Sequence, residues 1–131
     1  EGKCLIHTGG KSNTSPWGGD SPTFMDSMAE AGKSVVDALD GNILFISVMN
    51  NLSVDCDCTA RPSAPDIHDI GILASTDPVA LDQACVDLIY QSEGAESMIR
   101  RIEGVGGEDT LEHGEEIGLG NRAYKLVVVN E

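Results

Sequence analysis

Asn42-Ile43-Leu44-Phe45-Ile46-Ser47-Val48-Met49 is a nearly continuous apolar run with two isoleucines, a valine and a phenylalanine. β-Branched and aromatic residues at that density favour a strand, and the lack of polar alternation means a strand covered on both faces, the usual state in a parallel sheet. Ile70-Gly71-Ile72-Leu73-Ala74, within Ile67 to Ser75, reads as a second buried strand. Lys3 to Thr8 gives a short strand carrying Leu5 and Ile6, and Tyr124 to Val129 (YKLVVV) a final one.

The stretches between these strands read as helices. Phe24, Met25, Met28, Ala31, Val35, Val36 and Leu39 recur at three- and four-residue steps, the period of one buried helical face, after a start at Asp20 or Ser21 and before a stop at Asp40-Gly41. Asp77-Pro78 opens another helix with an N-cap aspartate and a proline in the first turn, running to about Gln91. Ala95 to Glu103 and Glu108 to Ile117 are two shorter amphipathic helices, the second ended by Gly118. Strand and helix alternating in this order predict a layered α/β fold, a mainly parallel sheet with flanking helices, in a single domain over residues 1–131.

Of the 131 residues, 8 are basic and 22 acidic, a formal charge of −14. That charge repels phosphate backbones and anionic membrane surfaces and argues against nucleic acid as a partner. No apolar run is long enough to span a bilayer. Four cysteines (Cys4, Cys56, Cys58, Cys85) fall short of a disulfide scaffold, and a reducing, cytoplasmic setting is expected. The chain opens at Glu1 and is expected to be the C-terminal segment of a longer protein, whose N-terminal half would be a partner.

In open parallel sheets, ligands gather at the carboxyl ends of the strands. Three loops qualify: Gly9–Asp20, Asn50–Asp66, and Ser75-Thr76-Asp77. The second carries Asp55-Cys56-Asp57-Cys58. Thiols one residue apart close poorly on each other but can both face one soft cation, zinc or an iron–sulfur centre. A closed zinc site takes four ligands, so the pair needs completion, with His7 the expected third metal ligand and His68, Cys4 and Cys85 as other candidates. The bland alternative is two small loop residues with no ligand. Ser12, Thr14, Ser75, Asp77 and Asp82 form the expected polar ligand-binding rim. Asp82 falls in an apolar sector of its helix, where a carboxylate needs hydrogen bonds or a cation; bonding to loop amides is the structural alternative. Cys85 shares a face with Leu81, Ala84 and Leu88 and reads as a small core hydrophobe. His113, amid Glu112, Glu115 and Glu116, reads as solvated. Gly9-Gly10-Lys11-Ser12 lacks the first glycine of a phosphate loop, that position being Leu5.

Cys56-Asp57-Cys58, the run from Asp69 through Asp77-Pro78 to Ala84, and the tail Glu115-Glu116-Ile117-Gly118-Leu119-Gly120 together carry a family likeness. The chain, from about Thr23 to its end, resembles the C-terminal part of the domain of unknown function 362 family, whose members are often labelled iron–sulfur centre proteins. The resemblance implies a metal- or iron–sulfur-associated domain with a redox or accessory role and a ferredoxin-like redox partner. Cys56, Cys58, Asp77 and Asp82 are the residues it carries over. The CxxCxxC run of many members is missing, Cys4 standing alone. Two other functions fit the residues: a non-metal small-ligand binder or enzyme domain using the loop edge near Asp77 and Asp82, or a structural interaction module that would expose a large apolar patch.

Overall fold

The computed structural model describes residues 21–55 and 60–129. In chain order these form α1 (Ser21–Ala38), β1 (Phe45–Met49), β2 (Gly71–Ser75), α2 (Pro78–Tyr90), α3 (Glu96–Val105) and α4 (Asp109–Glu116). No described helix is long and apolar enough to cross a membrane. The expected strand Lys3–Thr8 lies outside the described residues.

The sheet corrects the expected architecture. Among the described residues it has two strands, paired antiparallel with Phe45 opposite Ser75 and Met49 opposite Gly71. A parallel neighbour requires a long crossover, usually helical, to carry the chain back to the starting end of the sheet. The described residues of the connection over 50–70 form no helix, and the register shows that the chain re-enters from the end it left. The apolar run correctly signalled a strand, but two apolar faces do not fix strand direction. Tyr124–Val129 is the second departure: it runs beside β2 without joining the ladder. The described fold is therefore four helices and a two-stranded antiparallel ribbon covered by α2, not a layered, mainly parallel sheet.

Helix boundaries follow local chemistry closely. The Asp77 side chain accepts from the Ala80 amide at 3.0 Å, and Pro78 occupies the first turn, where its missing N–H costs nothing. Past α1 the backbone turns left-handed at Asp40 (φ 49°) and Gly41 (φ 73°). Gly118 (φ 74°) does the same after α4, and the Leu119 amide then donates to the Gly114 carbonyl at 2.8 Å.

α2 packs on both strands and α1 packs on α4. One core gathers Met49, Ile67, Ile89 and Ala95, with Leu52, Leu73, Leu88, Met98 and Ile102 against it. A second lies where α1, α2 and α4 meet: Ala29, Val79 and Leu111 are buried, and Leu119 reaches both Gly32 and Gly114. The apolar face expected of α1 is only partly covered: Phe24, Met25, Ala31 and Val36 are half-buried while Met28, Val35 and Leu39 remain exposed, and the buried residue of the helix is Ala29, outside that set. The ribbon is one-sided too. Phe45, Ser47, Met49, Leu73 and Ser75 turn inward, whereas Ile46 (60 % exposed), Val48 (61 %) and Ile72 (72 %) turn outward.

This asymmetry sets the expected stability pattern. Ile89→Ala removes a buried side chain and should lower unfolding free energy by about 2–5 kcal/mol. Ile72→Thr, on the uncovered face, should change it by less than about 0.5 kcal/mol. Urea titration of the two variants checks the contrast; equal losses would mean that the outward face is packed.

Candidate functional site

The antiparallel register divides the expected rim. The loop bearing the thiol pair leaves β1 at Met49 and returns at Gly71, whereas Ser75 and Asp77 follow the opposite end of β2, beside Phe45. At about 3.4 Å per residue those ends lie about 14 Å apart. Cys56, Cys58, His7, Ser12 and Thr14 lie outside the described residues. Ser75, Asp77 and Asp82 are described, and they do not act as one group.

Ser75 and Asp77 are joined, the Ser75 hydroxyl accepting from the Asp77 amide at 3.0 Å. The Asp77 carboxylate is occupied on both oxygens: Oδ1 by the Ala80 amide at 3.0 Å, Oδ2 by the Asn121 amide at 2.9 Å. It thus ties the start of α2 to the turn after α4. A Cβ on Gly120 would overlap Asp77 Oδ1 and stand 3.0 Å from Val79 Cβ, so the close approach requires glycine. Asp82 makes no hydrogen bond or ion pair among the described residues. Desolvation by the surrounding chain raises its carboxyl above the ordinary 3.8. The residue is nevertheless exposed, so water screens part of that cost. Next to it, Cys85 packs against the core and hydrogen-bonds Ser47; burial raises its thiol, and the Asp82 charge adds to the effect.

At the other end, the loop is tied at two levels. Asp69 closes its neck, accepting from Asn50 Nδ2 at 2.6 Å and from the Asn51 amide at 2.7 Å, with Asn51 left-handed at φ 56°. Further out, Asp55 accepts from the Ser63 amide at 2.8 Å and the Ser63 hydroxyl at 2.6 Å, while the Ser53 hydroxyl donates to the Ser63 carbonyl at 2.8 Å. The Ser63 bonds hold the Asp55 carboxyl below its usual range, with a smaller contribution from Arg101, 3.8 Å away. Cys56 and Cys58 therefore stand in a stretch whose flanks are fastened together. Beside the tie, Val54, Ser97, Arg100, Arg101, Gly104 and Val105 line a hollow of about 440 Å³.

Sequence reasoning missed three features. Asp69 and Ser63 as loop ties are one. The second is a polar network that holds the C-terminal segment: Arg122 donates to Gln83 Oε1 at 2.7 Å and Glu108 Oε2 at 3.1 Å, and Tyr124 donates to Asp87 at 2.7 Å. The third is His113, expected to be solvated but lodged between α1 and α4, with Asp26, Glu30 and Glu116 within 4.0 Å. A carboxylate followed by Pro or preceding a strand was a legible signal for a cap or a tie; pairings between distant elements carry none. Among the described residues no group of three or more His, Cys, Asp or Glu could hold a metal ion.

A family profile described as "Domain of unknown function (DUF362)" matches residues 1–87, more than half of the chain, and the protein belongs to that family. The match takes in the thiol loop, both strands and most of α2. It includes the first twenty residues and ends before the Glu115–Gly120 tail. No curated protein and no solved structure matches the chain.

Asp82 yields a pH prediction. Its folded-state pKa lies above the unfolded value, so ionised Asp82 costs stability at neutral pH, and the cost disappears as pH falls through the folded and then the unfolded value. Asp82→Asn should raise the melting temperature at pH 7 and leave it unchanged near pH 3. Calorimetry at both values checks this; a lower melting temperature at pH 7 would show that the carboxylate has a stabilising partner.

Proposed function

We propose that this DUF362 member serves as a metal- or iron–sulfur-associated accessory domain, with Cys56 and Cys58 holding a soft cation or cluster edge. The observation that supports this reading best is the double tie at the base of the thiol loop, Asp69 at the neck and Asp55 with Ser63 beyond it. Fastening both flanks reduces the chain entropy lost when two side chains converge on one ion. The fit is partial: two thiolates are half of a tetrahedral set, and the described residues contribute no cluster of donors to complete it. His7 is the proposed third ligand. When bound, the group would supply redox or Lewis-acid chemistry. The protein's part is to present the thiolates and to hold the loop.

A second reading, an interaction module, draws on a separate observation. Ile46, Val48 and Ile72 on the ribbon, together with Leu44, and Met28 and Val35 on α1 with Leu39 just after it leave apolar surface uncovered. Its partner would be the further protein segment expected upstream of Glu1. The small-ligand reading receives less support, because both oxygens of Asp77 already serve main-chain amides.

Anaerobic purification followed by elemental analysis and a visible spectrum separates the first two readings. Stoichiometric zinc or iron in the full chain, lost in Cys56→Ser with Cys58→Ser while the melting temperature of the metal-free protein is unchanged, is the expected result. A wild-type chain that stays metal-free after reconstitution with zinc, and with ferrous iron and sulfide, contradicts the metal reading and leaves the interaction module.

A further inference from the structure

The chain contains one Asp-Gly pair, Asp40-Gly41, and no Asn-Gly. It stands in the turn that carries the backbone from α1 to β1. Both residues are exposed and left-handed, Asp40 at φ 49° and Gly41 at φ 73°. Aspartate tolerates that region because its short side chain can lie against the neighbouring backbone. Two groups that can react with each other are left unengaged there. Among the described residues the Asp40 carboxylate takes no hydrogen bond or ion pair, and the Gly41 amide donates to no acceptor. A Cβ built on Gly41 would meet nothing within 4 Å, so the space around the amide is open. Asp26 and Asp37 are placed differently. Both lie inside α1, where the amide that follows each is held in a helical bond. Asp37 also takes the Lys33 ammonium at 2.9 Å.

We propose that Asp40-Gly41 is a site of spontaneous backbone isomerisation, where aspartate slowly becomes isoaspartate. The Gly41 nitrogen attacks Cγ of the neutral Asp40 carboxyl. A C–N bond closes a five-membered succinimide, and the carboxyl hydroxyl leaves with the amide proton as water. A second water opens the ring. Attack at Cγ restores aspartate. Attack at the main-chain carbonyl carbon breaks the bond from that carbon to nitrogen, and the chain then runs through Cβ. One water leaves and one enters, with nothing oxidised or reduced. Glycine suits the step because it sets no side chain beside the attacking nitrogen and leaves the backbone free to bend toward the ring. Asn42 braces the turn: its amide donates to the Leu39 carbonyl at 2.9 Å, and its Nδ2 donates to the Leu39 and Asp40 carbonyls at 3.2 and 3.3 Å. Isoaspartate adds a methylene carbon to the backbone within that span, so these bonds cannot all be kept. The change therefore loosens the end of α1 where it joins the ribbon.

Ageing the full chain for several weeks at neutral pH, well below its melting temperature, tests the proposal. Peptide mapping with electron-transfer fragmentation tells isoaspartate from aspartate. Isoaspartate should accumulate at Asp40 at least about tenfold faster than at Asp26 or Asp37, the ratio that a barrier difference of about 1.4 kcal/mol produces. The signal should be lost in Asp40→Glu, whose longer side chain closes a less favourable ring. Asp40→Asn, which cyclises with loss of ammonia instead of water, should convert faster than the wild type and gain mass as the amide becomes an acid. The Leu39 and Asn42 amides should exchange with solvent faster in the aged protein, while those of Ile89 and Leu111 keep their rates. Ageing at Asp40 no faster than at Asp26 and Asp37, a signal that survives Asp40→Glu, or an Asp40→Asn chain that keeps its amide would each overturn the site. Unchanged exchange at Leu39 and Asn42 would overturn the loosening of α1.

Discussion

The Asp77 carboxylate joins three parts of the molecule with its two oxygens. One oxygen caps α2, the other accepts from the Asn121 amide, and the Asp77 amide itself donates back to Ser75 at the end of β2. Strand end, helix start and the turn after α4 are thereby fixed at one point. The consequences spread outward. Leu119, just before that turn, packs against Gly32 of α1 and Gly114 of α4, and Arg122, just after it, bonds Gln83 and Glu108. The placement of α4 on α1, and of the C-terminal segment along α2, both follow from where this turn is held.

Much of this was legible residue by residue, and the limits are physical. Asp77-Pro78 announces a capped helix because the requirement is local: an acceptor for the free amides of the first turn, and a residue with no N–H to offer. Gly118 and Asp40-Gly41 mark helix ends for the same kind of reason. Strand direction has no such local signature. The run from Asn42 to Met49 reads as a strand whichever way its neighbour points, and whether one or both of its apolar faces is covered is decided elsewhere in the fold. Tyr124–Val129 has strand composition, but ladder formation depends on a neighbour at hydrogen-bonding distance, which composition cannot supply. The Asn121 contact with Asp77 spans 44 residues of sequence and was invisible for that reason.

The direction of the ribbon also reshapes the candidate site. An expected single rim becomes two separated regions, one structural around Asp77 and one around the fastened thiol loop. The loop region is the one with features that suit ligand binding: closed flanks, adjacent arginines and an open hollow. Belonging to DUF362 agrees with the run from Asp69 to Ala84, and the structure gives two aspartates of that run separate mechanical duties. Asp69 closes the loop neck and Asp77 fastens the turn. The uncovered apolar side chains on the ribbon and α1 show a domain whose described residues do not bury all the surface that its sequence prepares for burial.

The Asp77 junction is open to direct measurement through a double-mutant cycle with Gly120, whose missing side chain permits the approach. Gly120→Ala alone should destabilise by about 1–3 kcal/mol through overpacking. In the Asp77→Ala background most of that penalty should vanish, because the atom it would strike is gone, giving a coupling of about 1 kcal/mol or more. Strictly additive losses would contradict the account and would mean that the turn is held in place by other contacts.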